Sequence, residues 1–139
     1  MRDTKHLIAP LLAAALLAAC GGDDAPRLPP ITLDGLAATG AAVAGKVVTI
    51  KCAAGDAATT TTDSRGAFRF ELTAQGMPCM LEVDAGGSMG KLHGFTVNSG
   101  RVNITPLSSL VVARALRANP STAFSNISAA ALNSANDNI

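Results

Sequence analysis

The sequence predicts an all-β domain, an antiparallel β-sandwich, followed by a short C-terminal helical segment. Three observations predict it: apolar and polar side chains alternate in three short runs, turn residues separate these runs, and apolar residues take a helical spacing after residue 105. Strands joined by such short connections must mostly be antiparallel, because a parallel crossover needs a dozen or more residues. Two layers of such strands that bury one face each form a sandwich.

Each of the three runs places its apolar residues on one face of a strand, because side chains alternate along a strand. The residues predicted to point inward are Val48, Ile50 and Cys52 in the first run, Phe68, Phe70 and Leu72 in the second, and Cys79, Leu81 and Val83 in the third. The residues predicted to point outward are Val47, Thr49, Lys51, Arg69, Glu71, Met80 and Glu82.

The turn Asp63-Ser64-Arg65-Gly66 precedes the second run. The side chain of Asp63 can cap such a turn, and Gly66 can take backbone angles that other residues resist. We expect this turn to return the chain so that Phe68 and Phe70 enter the core.

A helix is predicted after the strands. Thr105 is a suitable N-cap with Pro106 at the first helical position, and Leu107, Leu110, Val111 and Ala115 then recur at helical spacing. An alanine-rich piece, 128–135, can form a further turn or two of helix. The polar end of the chain predicts a frayed tail or the opening of a longer helical region.

The N-terminal stretch "LIAPLLAAALLAACGGDD" predicts the location of the protein. Its apolar run from Leu7 to Ala19 has 13 residues, whereas a helix that crosses a bilayer needs about 20. Basic residues precede the run and small residues follow it, which is the layout of a secretory signal peptide. This layout disfavours the alternative, a buried alanine-rich helix that ends in an ordinary thiol.

The end of this run, Leu17-Ala18-Ala19-Cys20, resembles the lipobox of bacterial lipoproteins. The resemblance implies that residues 1–19 are a signal peptide, that Cys20 is acylated with fatty acids such as palmitate, and that the membrane is a partner through this lipid. Residues 20–34, rich in Gly, Asp and Pro, would form a flexible tether. Gly21 stands where an Asp would favour retention in the inner membrane, so we expect lipid anchoring in the bacterial cell envelope at the outer membrane.

The stretch "GAAVAGKVVTIKCAAGDAATTTTDSRGAFRFEL" resembles the carboxypeptidase regulatory-like family. Thr62, Asp63, Gly66, Phe68 and Phe70 stand at the positions of the family's Thr-Asp-x-x-Gly-x-Phe-x-Phe pattern. The resemblance implies an Ig-like, prealbumin-like (transthyretin-like) β-sandwich over residues 35–105, with the helix and polar tail in 106–139. Any other sandwich would contain the same local hairpin and differ only in topology.

Composition and motifs exclude several function classes. Acidic and basic residues nearly balance and no basic block is interleaved with aromatics, so nucleic-acid binding is not expected. No catalytic residue, metal ligand set or cofactor is predicted. His93 is expected to be a solvent-facing or hydrogen-bonded residue, and Ser108 and Ser109 have no partner base in the local sequence. Glu82 and Asp84 are expected to be solvated outward residues rather than an acid/base pair.

The resemblance to transthyretin-like folds also raises an enzyme hypothesis. Transthyretin-related hydrolases use several histidines and a C-terminal Tyr-Arg-Gly-Ser motif, whereas this sequence has no Tyr and ends in Asn-Asp-Asn-Ile. The expected function is therefore a non-enzymatic structural or binding module, whose further partner would be another envelope protein. The alternative is a small-ligand carrier or a residual transthyretin-like enzyme with His93 near its site.

Two cysteines remain after acylation of Cys20. Cys52 and Cys79 are an even number in an oxidising compartment, and strand parity points both inward, so they are predicted to form a disulfide across the core or between neighbouring strands. The alternative is two unpaired thiols that pack as small hydrophobic groups.

Overall fold

The computed structural model describes residues 27–139, which form mostly β structure with three short helices at the C-terminal end. The strands are β1 (Ile31–Leu36), β2 (Val47–Ala54), β3 (Ala58–Thr61), β4 (Ala67–Leu72), β5 (Gly76–Asp84), β6 (Lys91–Thr96) and β7 (Gly100–Arg101). The helices are α1 (Pro106–Leu116), α2 (Pro120–Ser125) and α3 (Ala129–Asp137).

The strands form two sheets. The three-stranded sheet has the order β4-β1-β7, in which β1 is antiparallel to β4 and parallel to β7. The four-stranded sheet has the order β3-β2-β5-β6, and all of its pairs are antiparallel. The expectation of mostly antiparallel pairing is therefore confirmed, with the short pair β1–β7 as the exception.

Both sheets contribute to one apolar core, and strand alternation decides which side chains enter it. Of the residues predicted to point inward, all but Cys52 are buried in this core, and Cys52 packs against it while partly buried. The three-stranded sheet adds Ile31 and Leu33 from β1. Ile31 lies within the predicted tether of residues 20–34, so the ordered β structure begins earlier than the sequence predicts.

The helices cover the other face of the four-stranded sheet. Met80 from β5, Val112, Phe124 and Leu132 form a second buried cluster there. Met80 does point away from the first core, as predicted, but it is buried and not in solvent, because the helices lie over it. Lys51 also points to this side, where its Nζ donates to the carbonyl oxygens of Phe124 at 2.8 Å and Ser125 at 3.0 Å.

The start of α1 agrees with the prediction, but its buried face does not. Thr105 is the N-cap: its hydroxyl accepts from the backbone N–H of Ser108, and the Ser108 hydroxyl accepts from the backbone N–H of Thr105. Val112 and Ala115 are the buried residues of the helix. Leu107 and Leu110 are 71% and 68% exposed, so most of the predicted apolar stripe faces outward.

The segment predicted as a polar tail forms α2 and α3. Asn119 caps α2 by accepting from two backbone N–H groups, and Ser128 caps α3 by accepting from the N–H of Ala131. Leu132 and Ala135 of α3 are buried. The alanine-rich piece is thus helical, as predicted, but the tail is part of the packed fold because α3 contacts α1, β2 and β5.

Candidate functional site

His93 is the buried polar side chain around which the candidate site is built. It lies on β6 directly opposite Glu82 of β5, and both side chains are on the sheet face that the helices cover. His93 is only 1% exposed. Of the two expected roles of this histidine, solvent-facing or hydrogen-bonded, the structure shows the hydrogen-bonded one.

A carboxylate holds the imidazole ring. The Nε2 atom of His93 lies 2.9 Å from Oε2 of Glu82, and the Nζ of Lys91 donates to Oε1 of the same carboxylate at 2.8 Å. The ring of Phe124 lies beside the imidazole, with 6.1 Å between the ring centroids. The carboxylate of Glu82 is thus mostly buried and accepts hydrogen bonds from His93 and Lys91. The prediction that Glu82 is solvated is wrong.

The protonation of this group follows from its surroundings. Burial lowers the pKa of His93, since it disfavours the imidazolium form, and the hydrogen bond to Glu82 opposes this effect. The hydrogen bond to Glu82 raises the pKa of Lys91. We therefore assign a neutral His93 at pH 7 that donates its Nε2 proton to the Glu82 carboxylate. The Nε2 proton of His93 is therefore buried between the imidazole and the Glu82 carboxylate.

Two hydroxyl groups of α1 bind the peptide of His93. The backbone N–H of His93 donates to Oγ of Ser109 at 2.8 Å, and Oγ of Ser108 donates to the carbonyl oxygen of His93 at 2.7 Å. Because β6 is an edge strand, these groups have no neighbouring strand on that side. The two serine hydroxyls therefore satisfy the backbone N–H and carbonyl groups of His93 at the edge of the sheet. The sequence suggests these serines only as possible nucleophiles, because the edge position of β6 is a property of the folded sheet and is not visible in the sequence.

The side chain of Asp84, the other carboxylate of β5, caps the turn that follows this strand. Its Oδ1 accepts from the backbone N–H of Gly86 at 2.8 Å, and the residue is exposed as predicted. Glu82 is instead committed to His93 and Lys91. The structure gives the two carboxylates separate partners and separate surroundings.

The predicted disulfide between Cys52 and Cys79 is present. The two residues are directly opposite each other on neighbouring strands β2 and β5, and their α-carbons are 4.0 Å apart. This pairing is the neighbouring-strand alternative of the prediction. Closing a loop across the 27-residue separation constrains the unfolded chain by about 3.5 kcal/mol in the loop-entropy account.

The turn motif at Asp63 and Gly66 is built as the sequence predicts. Oδ1 of Asp63 accepts from the backbone N–H groups of Arg65 at 2.8 Å and Ala67 at 2.9 Å, and these hydrogen bonds lower the pKa of the carboxyl. Gly66 has a φ of +79°, and a Cβ there would collide with the carbonyl oxygen of Ala37. Gly66 therefore meets two requirements that no other residue meets as well.

The buried Thr62 joins this turn to the segment before β2. Its hydroxyl donates to the carbonyl oxygen of Val43 at 2.6 Å and accepts from the backbone N–H of Lys46 at 2.9 Å. The Thr-Asp-x-x-Gly stretch is therefore a structural unit that fixes two connections of the fold.

The remaining sequence predictions concern the membrane anchor and metal ligands. Cys20 lies outside the described residues. Within residues 27–139, no helix is long and apolar enough to cross a membrane, and no group of three or more His, Cys, Asp or Glu side chains could hold a metal ion. Comparison of the chain with protein-family models, with curated proteins and with solved structures finds no match.

Proposed function

We propose that this protein is a lipid-anchored component of the bacterial cell envelope, and that its folded domain serves as a non-enzymatic structural or binding module. The anchor would be Cys20, at the end of the apolar run and the lipobox-like Leu17-Ala18-Ala19. Several acyl chains on one cysteine hold a protein on a membrane durably, whereas a single chain binds only reversibly. Gly21 favours sorting to the outer membrane.

The observation that carries this proposal is the disulfide between Cys52 and Cys79. Disulfides persist in oxidising compartments such as the bacterial periplasm and are rare in the cytosol. A disulfide between central strands of the fold therefore agrees with an exported protein, which is what the N-terminal stretch predicts on separate grounds.

The arrangement of the strands supports the assignment to a prealbumin-like sandwich of the carboxypeptidase regulatory-like type. Two sheets share one core, as such a fold requires. The residues of the family pattern have definite structural roles. Thr62 binds the segment before β2, Asp63 caps the turn and Gly66 takes the positive φ, and the side chains of Phe68 and Phe70 enter the core. The three helices are an addition that this pattern does not contain.

The surroundings of His93 support a module without catalysis. A general base must reach a substrate proton, directly or through one water. The ring of His93 is buried, its Nε2 is bonded to Glu82, and both hydroxyls next to it are bonded to its own backbone. This site fixes α1 on the sheet. Turnover of a small molecule by the purified protein that is abolished by His93→Ala would instead establish the enzyme hypothesis.

Labelling of cells with radioactive palmitate tests the anchor. The wild type is expected to be labelled, and Cys20→Ser is expected to be unlabelled and to accumulate as a precursor that keeps residues 1–19. The matched control replaces the other two cysteines, Cys52→Ala with Cys79→Ala, and should still be labelled. Equal labelling of wild type and Cys20→Ser would refute lipidation at this residue, and recovery only from the inner membrane would refute the sorting.

A further inference from the structure

The end of the domain where the chain enters carries an apolar surface around a cleft. Leu28 lies against Gly76 at the start of β5, and a cleft of about 410 Å³ separates the entering segment from Met77 and from Val97, which follows β6. Leu28 and Val97 are 37% and 40% exposed. We call the surface formed by Leu28, Met77 and Val97 the tether-end surface.

The tether-end surface lies at one end of the strands. Gly76 pairs with Ala54, the last residue of β2, and Val97 directly follows the last residue of β6. Val47 begins β2 and therefore lies at the opposite end, seven residue steps or roughly 23 Å away along the strand. The domain thus has two ends that one strand length separates.

The two ends differ in charge and not in apolar exposure, because the opposite end also exposes Val47 and Met89, at 56% and 49%. The connections at the tether end are 27–30, 55–57, 73–75 and 97–99, and their charged residues are Arg27 and Asp56. The connections at the opposite end, 37–46, 62–66 and 85–90, carry Lys46, Asp63 and Arg65. The strand ends beside them add Asp84 and Lys91, whereas the strand ends at the tether end add no charged residue. Moving a charged side chain from water to an apolar surface costs free energy, so contact with such a surface costs less at the tether end, which carries fewer charged residues.

Chain length places the tether-end surface near the proposed anchor. Arg27 is seven residue steps from Cys20, and a fully extended chain spans about 3.5 Å per step, so the distance between these two residues cannot exceed about 25 Å. This limit holds for any conformation of these residues. If Cys20 is acylated, the chain therefore enters the domain beside the tether-end surface within about 25 Å of the lipid anchor.

We infer that the tether-end surface rests on the lipid bilayer, with Leu28 and Val97 at the boundary between headgroups and acyl chains. This inference rests on the proposed acylation of Cys20. The lipid anchor supplies the affinity, so the contact itself needs to do no more than select one orientation. The apolar side chains enter the boundary region, and the Arg27 guanidinium can pair with a lipid phosphate beside them. In this orientation the tether end of the domain contacts the membrane, and the end that carries Val47 faces away from it.

A single tryptophan tests this orientation, because the chain contains no Trp and no Tyr. Acylated full-length Val97→Trp and Leu28→Trp proteins are placed in vesicles of phosphatidylethanolamine and phosphatidylglycerol, with and without brominated acyl chains. Since side chains at a bilayer interface lie about 5–10 Å into the headgroup and acyl boundary, brominated lipid is expected to remove more than about half of the emission at positions 28 and 97. Both emission spectra should also shift to shorter wavelength.

Val47→Trp is the matched control, because Val47 is a more exposed valine, at 56%, and lies at the opposite end of β2. Its emission is expected to be unchanged by brominated lipid. Equal quenching at positions 47 and 97, or no quenching at both 28 and 97 while the protein floats with the vesicles, would overturn the inference and leave the anchor intact. Failure of the wild type to float would overturn both the anchor and the inference.

Discussion

At the scale of single residues, His93 shows how a buried polar group is accommodated. Its ring is bonded to Glu82, and its peptide N–H and carbonyl are bonded to Ser109 and Ser108. Within residues 27–139, no buried side-chain nitrogen or oxygen lacks a hydrogen-bond partner. Removing one member of such a group leaves the others buried and unpaired, which costs more than the hydrogen bond itself contributes.

The lowered pKa of His93 predicts a pH-dependent stability. As the pH falls below the ordinary histidine value of about 6.5, the unfolded chain takes up a proton that the folded protein resists. The free energy of unfolding of the mature protein should therefore decrease as the pH falls through this range, by at most about 1.4 kcal/mol per pH unit. Above that range the effect should vanish. Urea unfolding followed by circular dichroism at several pH values measures it.

His93→Gln is the control for this pH dependence, because its amide can still donate to Glu82 but does not titrate. Its unfolding midpoint should vary less than that of the wild type between pH 5 and the ordinary histidine value. Lys91 and Glu82 remain in the variant, so a slope that is unchanged there would assign the pH dependence to groups other than His93.

Sequence reasoning located some of these residues and not others, for a physical reason. The inward direction of Cys52 and Cys79 follows from strand parity, which is a local property, and the structure joins these residues. The burial of His93 depends on Ser108, Ser109 and Phe124, which lie on helices distant in sequence. No local pattern around His93 contains that information.

At the scale of elements, α1 has a well-marked start and a weakly specified face. Thr105 and Pro106 fix where the helix begins, and the structure agrees with both. Apolar residues occur on several sides of this helix, so periodicity does not decide which side meets the sheet. The serine bonds to His93 and the burial of Val112 in the cluster that contains Met80 set the rotation of the helix. Leu107, Leu110 and Val111 are left exposed.

Alanine substitutions on α1 distinguish the two possible faces. Val112→Ala should reduce the free energy of unfolding by about 2 kcal/mol, because it removes buried methyl groups and leaves a cavity. Leu110→Ala should change it by less than about 0.5 kcal/mol, since that side chain is exposed. Both values can be measured by urea unfolding at pH 7. A larger loss for Leu110→Ala than for Val112→Ala would restore the helix face that the sequence predicts.

The two remaining helices show the limit of prediction from pattern. Helix α2 begins with Asn119-Pro120 and α3 with Ser128, both usable cap signals. What the sequence lacks is an apolar stripe: Phe124 and Leu132 are the large buried residues of these helices. Their burial depends on a second face of the sheet that accepts them, and the sequence of a single strand does not show which of its faces will be covered.

At the scale of the whole molecule, the four-stranded sheet separates two apolar cores and belongs to both. Adjacent residues of β5 point to opposite sides, so Leu81 enters the core between the sheets and Met80 enters the core under the helices. The disulfide links β5 to β2 in the centre of this sheet. Lys51 of β2 is bonded to the last carbonyl groups of α2. Loss of either core therefore removes support from the same strands.

This shared sheet predicts that the domain unfolds as one cooperative unit. Leu81→Ala in one core and Leu132→Ala in the other both truncate a fully buried leucine, and each should cost about 2–5 kcal/mol. Because β5 contributes to both cores, each variant should show a single transition at a lower temperature, with helix and strand signals lost together. Calorimetry and far-ultraviolet circular dichroism measure this, and Leu110→Ala, which truncates an exposed leucine, serves as the control. An early loss of helix in Leu132→Ala that leaves the transition of the sheets at its wild-type temperature would contradict the prediction, because the helices would then be a separate layer that the sheets do not need.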